Sequence, residues 1–405
     1  MGLQHPLQLL TCVTLLSTQV QLGDGATTPE TRPYSARMAD SVILRGQAIH
    51  DDSSDSSGLL QVGTFQTALL DLVESPSSQY LEQDWESFLA RSADSVVGLV
   101  DNATKDTQSP LDRLSVGKGL LYQYEQTGNE TYKESLDALR LSIDLQPRNQ
   151  YGGLWYYVYP NWSYLDGMFS LLWFLPIYTT TFTHGPSNST TSTGFLFHQL
   201  DFLWTHCHDN ATSLLFHGYD ASKTAVWANP ITGASPYVWI RALGWFMMGL
   251  VDFLELHLEN VEGRLDTWRN RFIDLSNAIL DTVDENSGAW WQVLNAPGRA
   301  ENYIESSGSA MFVHSLLKGV RLGLLEQTNE RNYTAVADRA YHTLVDKFVV
   351  ENDDGTLSYN GTVGVCSLNS TASYEYYTHQ PLVYDSVLGS AAFVRASIEH
   401  ELYTS

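Results

Sequence analysis

The sequence predicts an all-α fold, an (α/α)₆ barrel with short β-turns or hairpins at one end, and three observations carry that reading. Six apolar, glycine-bearing helical segments alternate along the chain with six more polar, amphipathic ones. The apolar segments start about 50 to 75 residues apart, a period in the range of helical repeats. A loop that mixes glycine with aromatic residues follows four of the amphipathic segments. A helix covered on all sides can be apolar over most of its surface, whereas an outer helix keeps one wet face, so two concentric rings fit the alternation. A plain helical solenoid is the alternative reading of the same pattern.

In chain order, the outer helix expected at 35–49 precedes the first inner helix at 59–74, and the pairs continue at 82–101 with 111–126 and at 131–146 with 164–178. The last three pairs fall at 194–208 with 237–257, 263–284 with 304–325, and 333–349 with 381–399. Glycines at 63, 119, 167, 244, 249, 308, 319 and 389 lie on the apolar members, where the missing Cβ lets neighbouring helices approach closely. The loops Gly152-Gly153-Leu154-Trp155, Leu215-Phe216-His217-Gly218-Tyr219, Gly288-Ala289-Trp290-Trp291 and Gly355-Thr356-Leu357-Ser358-Tyr359 each follow an outer helix and read as short turns or hairpins. Chain direction places these loops at the same barrel end as the starts of the inner helices. Loops on a rigid frame are where varied chemistry is carried, so that end is the expected site.

Composition bounds the rest. With 405 residues, 43% of them hydrophobic and 12% aromatic, the chain can bury a sizeable core. Its 11 Trp and 22 Tyr supply flat apolar faces with polar rims, suited to cores and to sugar rings alike. A formal net charge of −24 argues against nucleic acid or an anionic membrane surface as partner, and an acidic substrate would need a local cationic pocket.

The apolar stretch Leu7 to Leu22, followed by Gly23, Gly25 and Ala26, reads as a secretory signal, although its start offers no Lys or Arg and only His5. The expected organisation is therefore a signal at 1–25, an N-terminal extension with the first outer helix at 26–57, and a single barrel at 58–405. Sequons at Asn102, Asn129, Asn161, Asn188, Asn210, Asn332, Asn360 and Asn369 agree with a secreted, extracellular glycoprotein. No later stretch is apolar enough to span a bilayer. Once Cys12 leaves with the signal, Cys207 and Cys366 remain; one bridge and two buried thiols are both open, and so sparse a pair favours the thiols slightly.

Several chemistry-bearing residues fall at one barrel end. Asp166 stands alone in the apolar run Tyr164-Leu165-Asp166-Gly167-Met168, where an ionised carboxylate must be partnered, be protonated or face a cavity. A helix cap or a hydrogen-bonded core aspartate is the simpler explanation. Asp112 opens the second inner helix after Ser109-Pro110, and it too could be only a cap. His217 lies in the loop before the fourth inner helix, where it could be a plain loop hydrogen-bonder. Arg241 and Trp245 share one face of that helix, and Arg241 could merely pair with Asp220 or Asp252.

Across 59–399 the sequence resembles glycoside hydrolase family 105, the unsaturated rhamnogalacturonyl hydrolases, and more loosely the unsaturated glucuronyl hydrolases. The resemblance rests on Gln146-Pro147-Arg148 through Gly167, then Trp227-Ala228-Asn229-Pro230 through Thr232-Gly233 to Arg241, Gly244 and Trp245. Glu305-Ser306-Ser307 with Met311-Phe312, and Gly361-Thr362-Val363 followed by Ser373-Tyr374-Glu375-Tyr376-Tyr377, complete it. It implies a six-hairpin (α/α)₆ barrel that hydrolyses oligosaccharides ending in a 4,5-unsaturated uronic acid, using no metal or organic cofactor and no obligate protein partner.

Asp166 matches the family's acid/base, which protonates C4 of the unsaturated ring, and Asp112 matches the second carboxylate, whose charge would raise the pKa of Asp166. His217 and Arg241 match substrate-contacting positions, with Trp245 packing on the sugar. The chain departs from the family at Leu154-Trp155-Tyr156-Tyr157 and Trp162-Ser163-Tyr164, where a His and a Gln are usual. Asn161, a sequon close to Asp166, is expected to be buried or unmodified. Three other readings stay open: an unsaturated β-glucuronyl hydrolase for other lyase products, a conventional inverting glycosidase with Asp112 and Asp166 as acid and base, and a non-catalytic sugar-binding protein.

Overall fold

The computed structural model describes residues 32–51, 56–182, 186–256 and 261–405. The expected signal at 1–25 lies outside them. Residues 33–405 form one unit. Among the described residues the helices are α1 (Tyr34–Leu44), α2 (Gly58–Val73), α3 (Trp85–Val97), α4 (Ala103–Asp106), α5 (Gly117–Thr127), α6 (Glu130–Leu145), α7 (Met168–Phe182) and α8 (Pro186–Cys207). They continue with α9 (Ile240–Glu255), α10 (Arg264–Asp281), α11 (Ser306–Arg321), α12 (Tyr333–Phe348), the short α13 (Tyr374–Thr378) and α14 (Val387–Thr404).

Helices α2, α5, α7, α9, α11 and α14 make the inner ring. Contacts run from α2 to the 3₁₀ turn Leu111–Val116 that leads into α5, from that turn to α7, then to α9, α11 and α14, and from α14 back to α2. That closure excludes an open solenoid. Outer helices pack on them in sequence: α1 on α14, α3 on α2 and α5, α6 on α5, α8 on α7, α10 on α9, and α12 on α11. Helix α1 thus belongs to the barrel as its first outer member. The second expected inner helix is split by its opening 3₁₀ turn, and the third starts at Met168 rather than 164, which leaves Asp166 in the turn before it.

The apolar character of the inner helices follows from their position. Every residue of α9 from Ile240 to Leu254 is buried, as is α11 from Ser306 to Gly319. Glycine sets the spacing at the tightest crossings. A Cβ on Gly249 would lie 2.7 Å from the Met168 carbonyl oxygen, and one on Gly63 would lie 2.4 Å from the Ser115 carbonyl carbon. Real Cβ atoms do not come that close, so α9 and α7, and α2 and the 3₁₀ turn, could not meet as they do with alanine there.

Away from the starts of the inner helices, ion pairs cross the barrel interior. Asp252 on α9 accepts from Lys318 Nζ of α11 at 2.6 Å and from Arg395 Nη2 of α14 at 2.9 Å. Arg395 Nε reaches Asp71 of α2 at 2.7 Å, and Lys118 of α5 reaches the same carboxylate at 2.5 Å. These cations hold Asp71 and Asp252 below the usual carboxylate range against the cost of burial.

At the opposite end the four expected turns are present. Backbone bonds close them at Asn149–Gly153, Asp209–Leu214, Asp284–Ala289 and Asn352–Thr356. Each begins on Asn or Asp and carries a positive φ near its end, at Gly152, Ser213, Gly288 and Gly355. Short strands add to them: β1 (Trp162–Tyr164) pairs antiparallel with β2 (Gly218–Asp220), β3 (Val349–Glu351) with β4 (Leu357–Tyr359), and β5 (Thr362–Val363) with β6 (Leu382–Val383). Cys207 and Cys366 are both buried and free. No helix among the described residues is long and apolar enough to cross a membrane.

Candidate active site

Where the inner helices start, a cavity of about 130 Å³ opens among residues drawn from most of the hairpins. Asp112, Asp166, Arg241 and Trp245 all line it, beside Trp239, Tyr156, Tyr157, Tyr159, Tyr164, Cys366 and Ser367. Four of the five residues singled out from the sequence therefore meet on one surface.

The pairing of β1 with β2 brings the fifth into contact. Its register sets Tyr164 opposite Gly218, and the Leu165 amide donates to the His217 carbonyl at 3.0 Å. One step beyond that pair Leu165 lies opposite His217, and the residue after Leu165 comes within reach of the imidazole: His217 Nε2 lies 3.2 Å from Asp166 Oδ2, without the alignment of a hydrogen bond. Gly218 is needed for this approach, since a Cβ there would sit 2.5 Å from the Ser163 carbonyl oxygen. His217 is wholly buried, held on its other side by the Tyr377 hydroxyl 2.8 Å from Nδ1. It backs Asp166 and does not line the cavity, so the expected direct contact with substrate is replaced by a contact with the carboxylate.

Asp166 precedes α7 without capping it: no backbone amide among the described residues bonds to its side chain, and Oδ2 has no hydrogen-bond partner. Asp112 sits in the 3₁₀ turn, where the Leu111 amide donates to the Tyr156 carbonyl at 2.9 Å. The Tyr156 hydroxyl in turn donates to Asp112 Oδ2, and Oδ1 is buried without a partner. Burial pushes the Asp112 carboxyl up to about 7; the Tyr156 hydrogen bond opposes the rise and the nearby charge of Asp166 adds to it. From the sequence the charge of Asp112 is expected to act on Asp166; in the structure burial raises Asp112, and the charge of Asp166 adds to that rise. Tyr156 also stacks on Tyr164 with centroids 4.3 Å apart, so the carboxylates sit under an aromatic wall.

Arg241 pairs with neither Asp220 nor Asp252. Its Nη1 donates to the Val363 carbonyl at 2.5 Å and its Nη2 to the Gly364 carbonyl at 2.6 Å, while the guanidinium lies 4.8 Å from the Trp239 ring centroid. Nε is buried with no partner among the described residues. Glu305 completes the clamp: one oxygen caps α11 through the Gly308 amide at 2.7 Å, and the other accepts from the Val363 amide at 3.0 Å. Arg241 thus braces the strand that continues into Val365, Cys366 and Ser367 of the cavity wall, and it places one positive charge in a strongly acidic protein.

Sequence reasoning missed the tyrosines of the wall, Trp239 and the segment Val365–Ser367. The density of Tyr between 156 and 164 was the available signal. Asp220 is occupied elsewhere, accepting from the amides of Ser222, Thr224 and Ala225, each at 2.8 Å. Asn161, beside the cavity, is half-exposed with φ +69°, rather than buried.

Comparison with known proteins agrees with this arrangement. Residues 63–404 match Glycosyl Hydrolase Family 88. A family 105 glycoside hydrolase from C. acetobutylicum superposes with a TM-score of 0.80 at 30% identity, covering 92% of this chain and 100% of that one. The unsaturated glucuronyl hydrolase of Bacillus sp. GL1, which acts in glycosaminoglycan degradation, shares the fold with a TM-score of 0.63 at 13% identity, over 91% and 95% of the two chains. Protein Atu3128 of Agrobacterium fabrum is 33% identical over 196 residues, 47% of this chain and 83% of that one. With its closed double ring of helices and two carboxylates facing one aromatic cavity, the chain belongs to the glycoside hydrolases of families 88 and 105.

Proposed function

We propose that this hydrolase removes the terminal 4,5-unsaturated uronic acid from lyase-generated oligosaccharides, with unsaturated rhamnogalacturonan from pectin as substrate, and that it acts outside the cell. The observation that carries the proposal is the pair Asp112 and Asp166, each with a buried oxygen left without a hydrogen-bond partner at one cavity. Buried polar atoms are normally satisfied, and leaving them open is characteristic of a site built for a ligand.

In this reading Asp166 gives its proton to C4 of the vinyl ether, and positive charge develops at C5 beside the ring oxygen. Water adds at C5 and returns a proton to Asp166, so the carboxyl ends as it began. The C5 hemiketal then opens to a ketone, C1 becomes a hemiacetal, and the aglycone leaves as an alcohol. His217, 3.2 Å behind Asp166 and fixed by Tyr377, orients that carboxyl. Asp112, pushed up to about 7 by burial, is neutral at mildly acidic pH and so sets no second negative charge beside Asp166. Arg241 offers the positive charge that a uronate needs in a chain of net charge −24.

Two further features support the substrate and the location. The tyrosine-lined wall suits sugar rings, and the family 105 likeness extends over the whole of that relative. The sequons at Asn102, Asn129, Asn210, Asn332, Asn360 and Asn369 are exposed, as glycan attachment requires; the side chain of Asn188 lies outside those described. The test is loss of the ultraviolet absorbance of the conjugated double bond on a defined unsaturated rhamnogalacturonan disaccharide, in heavy water. Turnover with one deuterium at C4, lost by about 10³-fold or more in Asp166→Asn, is expected. Activity confined to saturated chains, or product without deuterium at C4, would refute the proposal.

A further inference from the structure

The geometry points to a transition-metal site of the zinc class, formed by Asp338, His342 and His400 where outer helix α12 meets inner helix α14. Among the described residues, this is the one group of three His, Cys, Asp or Glu side chains whose donor atoms all lie within 4.8 Å of one another. His400 Nε2 lies 2.8 Å from Asp338 Oδ1, and His342 Nε2 lies 3.5 Å from the same oxygen.

Those separations fit a shared ion. Donors held about 2.0–2.1 Å from a tetrahedral zinc stand about 3.3 Å from each other. The two measured edges lie on either side of that value. The third edge is within 4.8 Å and needs only a turn of the exposed His342 ring. The frame around it is rigid. Asp338 and His342 are four apart on α12 and project from one helical face. His400 is buried and stacked on Tyr341 with centroids 3.9 Å apart.

Helix spacing brings His342 to Asp338 and the α12–α14 packing brings His400 to it, so two imidazoles converge on one carboxylate oxygen. Two imidazole nitrogens and one carboxylate oxygen suit Zn²⁺, Ni²⁺ or Cu²⁺, whereas Mg²⁺ and Ca²⁺ take sets dominated by oxygen. Solvent would complete the coordination. The site stands apart from the chemistry: His400 lies 12 residues beyond the cavity-lining Leu388 on α14, about 18 Å along the helix at 1.5 Å per residue. An ion there staples the outer ring to the inner one, and its binding adds stability that grows with the logarithm of the free metal concentration above the dissociation constant.

The test uses the full, tag-free chain stripped with a chelator and titrated with ZnCl₂ against a chromophoric zinc indicator. One equivalent should bind, and zinc should raise the melting temperature. His342→Ala, an exposed change that leaves the helix core intact, should weaken binding at least tenfold and abolish the zinc-dependent rise in melting temperature, as should Asp338→Asn. Glycoside hydrolysis should be the same in His342→Ala as in the parent. No saturable zinc binding, or affinity unchanged in both variants, would overturn the inference.

Discussion

Replacing Asp112 by Asn should cost activity and gain stability, and the gain should depend on pH in a way that reports the buried carboxyl. In the folded protein Asp112 is pushed up to about 7 from a reference of 3.8, because burial penalises its charge. The folded value lies above the unfolded one, so folding favours the neutral form. That contribution is complete below the unfolded pKa and is lost as pH rises to about 7. Above pH 7 the charged carboxyl then weakens the fold by about 4 kcal/mol, at 1.36 kcal/mol per pKa unit.

Asparagine can still accept the Tyr156 hydroxyl, and it carries no charge to bury. Asp112→Asn should therefore melt about 5 °C higher than the parent at pH 8, on the entropy scale of a domain this size. The difference should shrink to about 1 °C near pH 4.5, where little of the penalty has yet appeared. Paired thermal melts at the two pH values, with circular dichroism as the readout, measure it. A difference that is the same at both pH values, or a variant less stable than the parent at pH 8, would refute the assignment of the raised acid to Asp112.

Three other outcomes are expected. Tyr156→Phe removes the hydroxyl that holds Asp112 down, so the alkaline limb of kcat/KM, which should begin near pH 7, should move to higher pH. Arg241→Lys cannot span the two carbonyls of Val363 and Gly364; KM should rise tenfold or more, and hydrogen exchange should quicken across 362–367, since bonds to a charged donor are worth about 1.5–3 kcal/mol each. Asp252→Ala removes the carboxylate that Lys318 and Arg395 share, leaving Lys318 with Glu255 and Arg395 with Asp71, and should lower unfolding free energy in urea by about 3 kcal/mol, leaving KM unchanged.

The helices were the most legible part of the chain, because their signal is local: all six apolar and all six amphipathic segments form, with ends displaced by up to eight residues. Asp112 and Asp166 were legible for a related reason, a carboxylate being conspicuous beside apolar neighbours. What each does was less so. The place of His217 behind Asp166 depends on strands 162–164 and 218–220 finding one register across more than fifty residues of intervening chain. Arg241 matched a substrate-contacting position, but two of its donors are spent on carbonyls 122 and 123 residues away, contacts that leave no trace in local pattern. The motifs around Glu305 and Gly361–Val363 were visible as resemblance; only the clamp on Arg241 explains them physically.

The antiparallel register of β1 and β2 has a consequence for which length changes the molecule can absorb. A residue added to the exposed tip of the turn at Asp209–Leu214 lengthens a connection and leaves the strand pair aligned, so such insertions should be tolerated. One residue added between Ser163 and Asp166 would swing every following side chain to the opposite face and point the acid away from its imidazole. Length variation among natural variants of this chain should accordingly gather at the turn tips and spare that four-residue window.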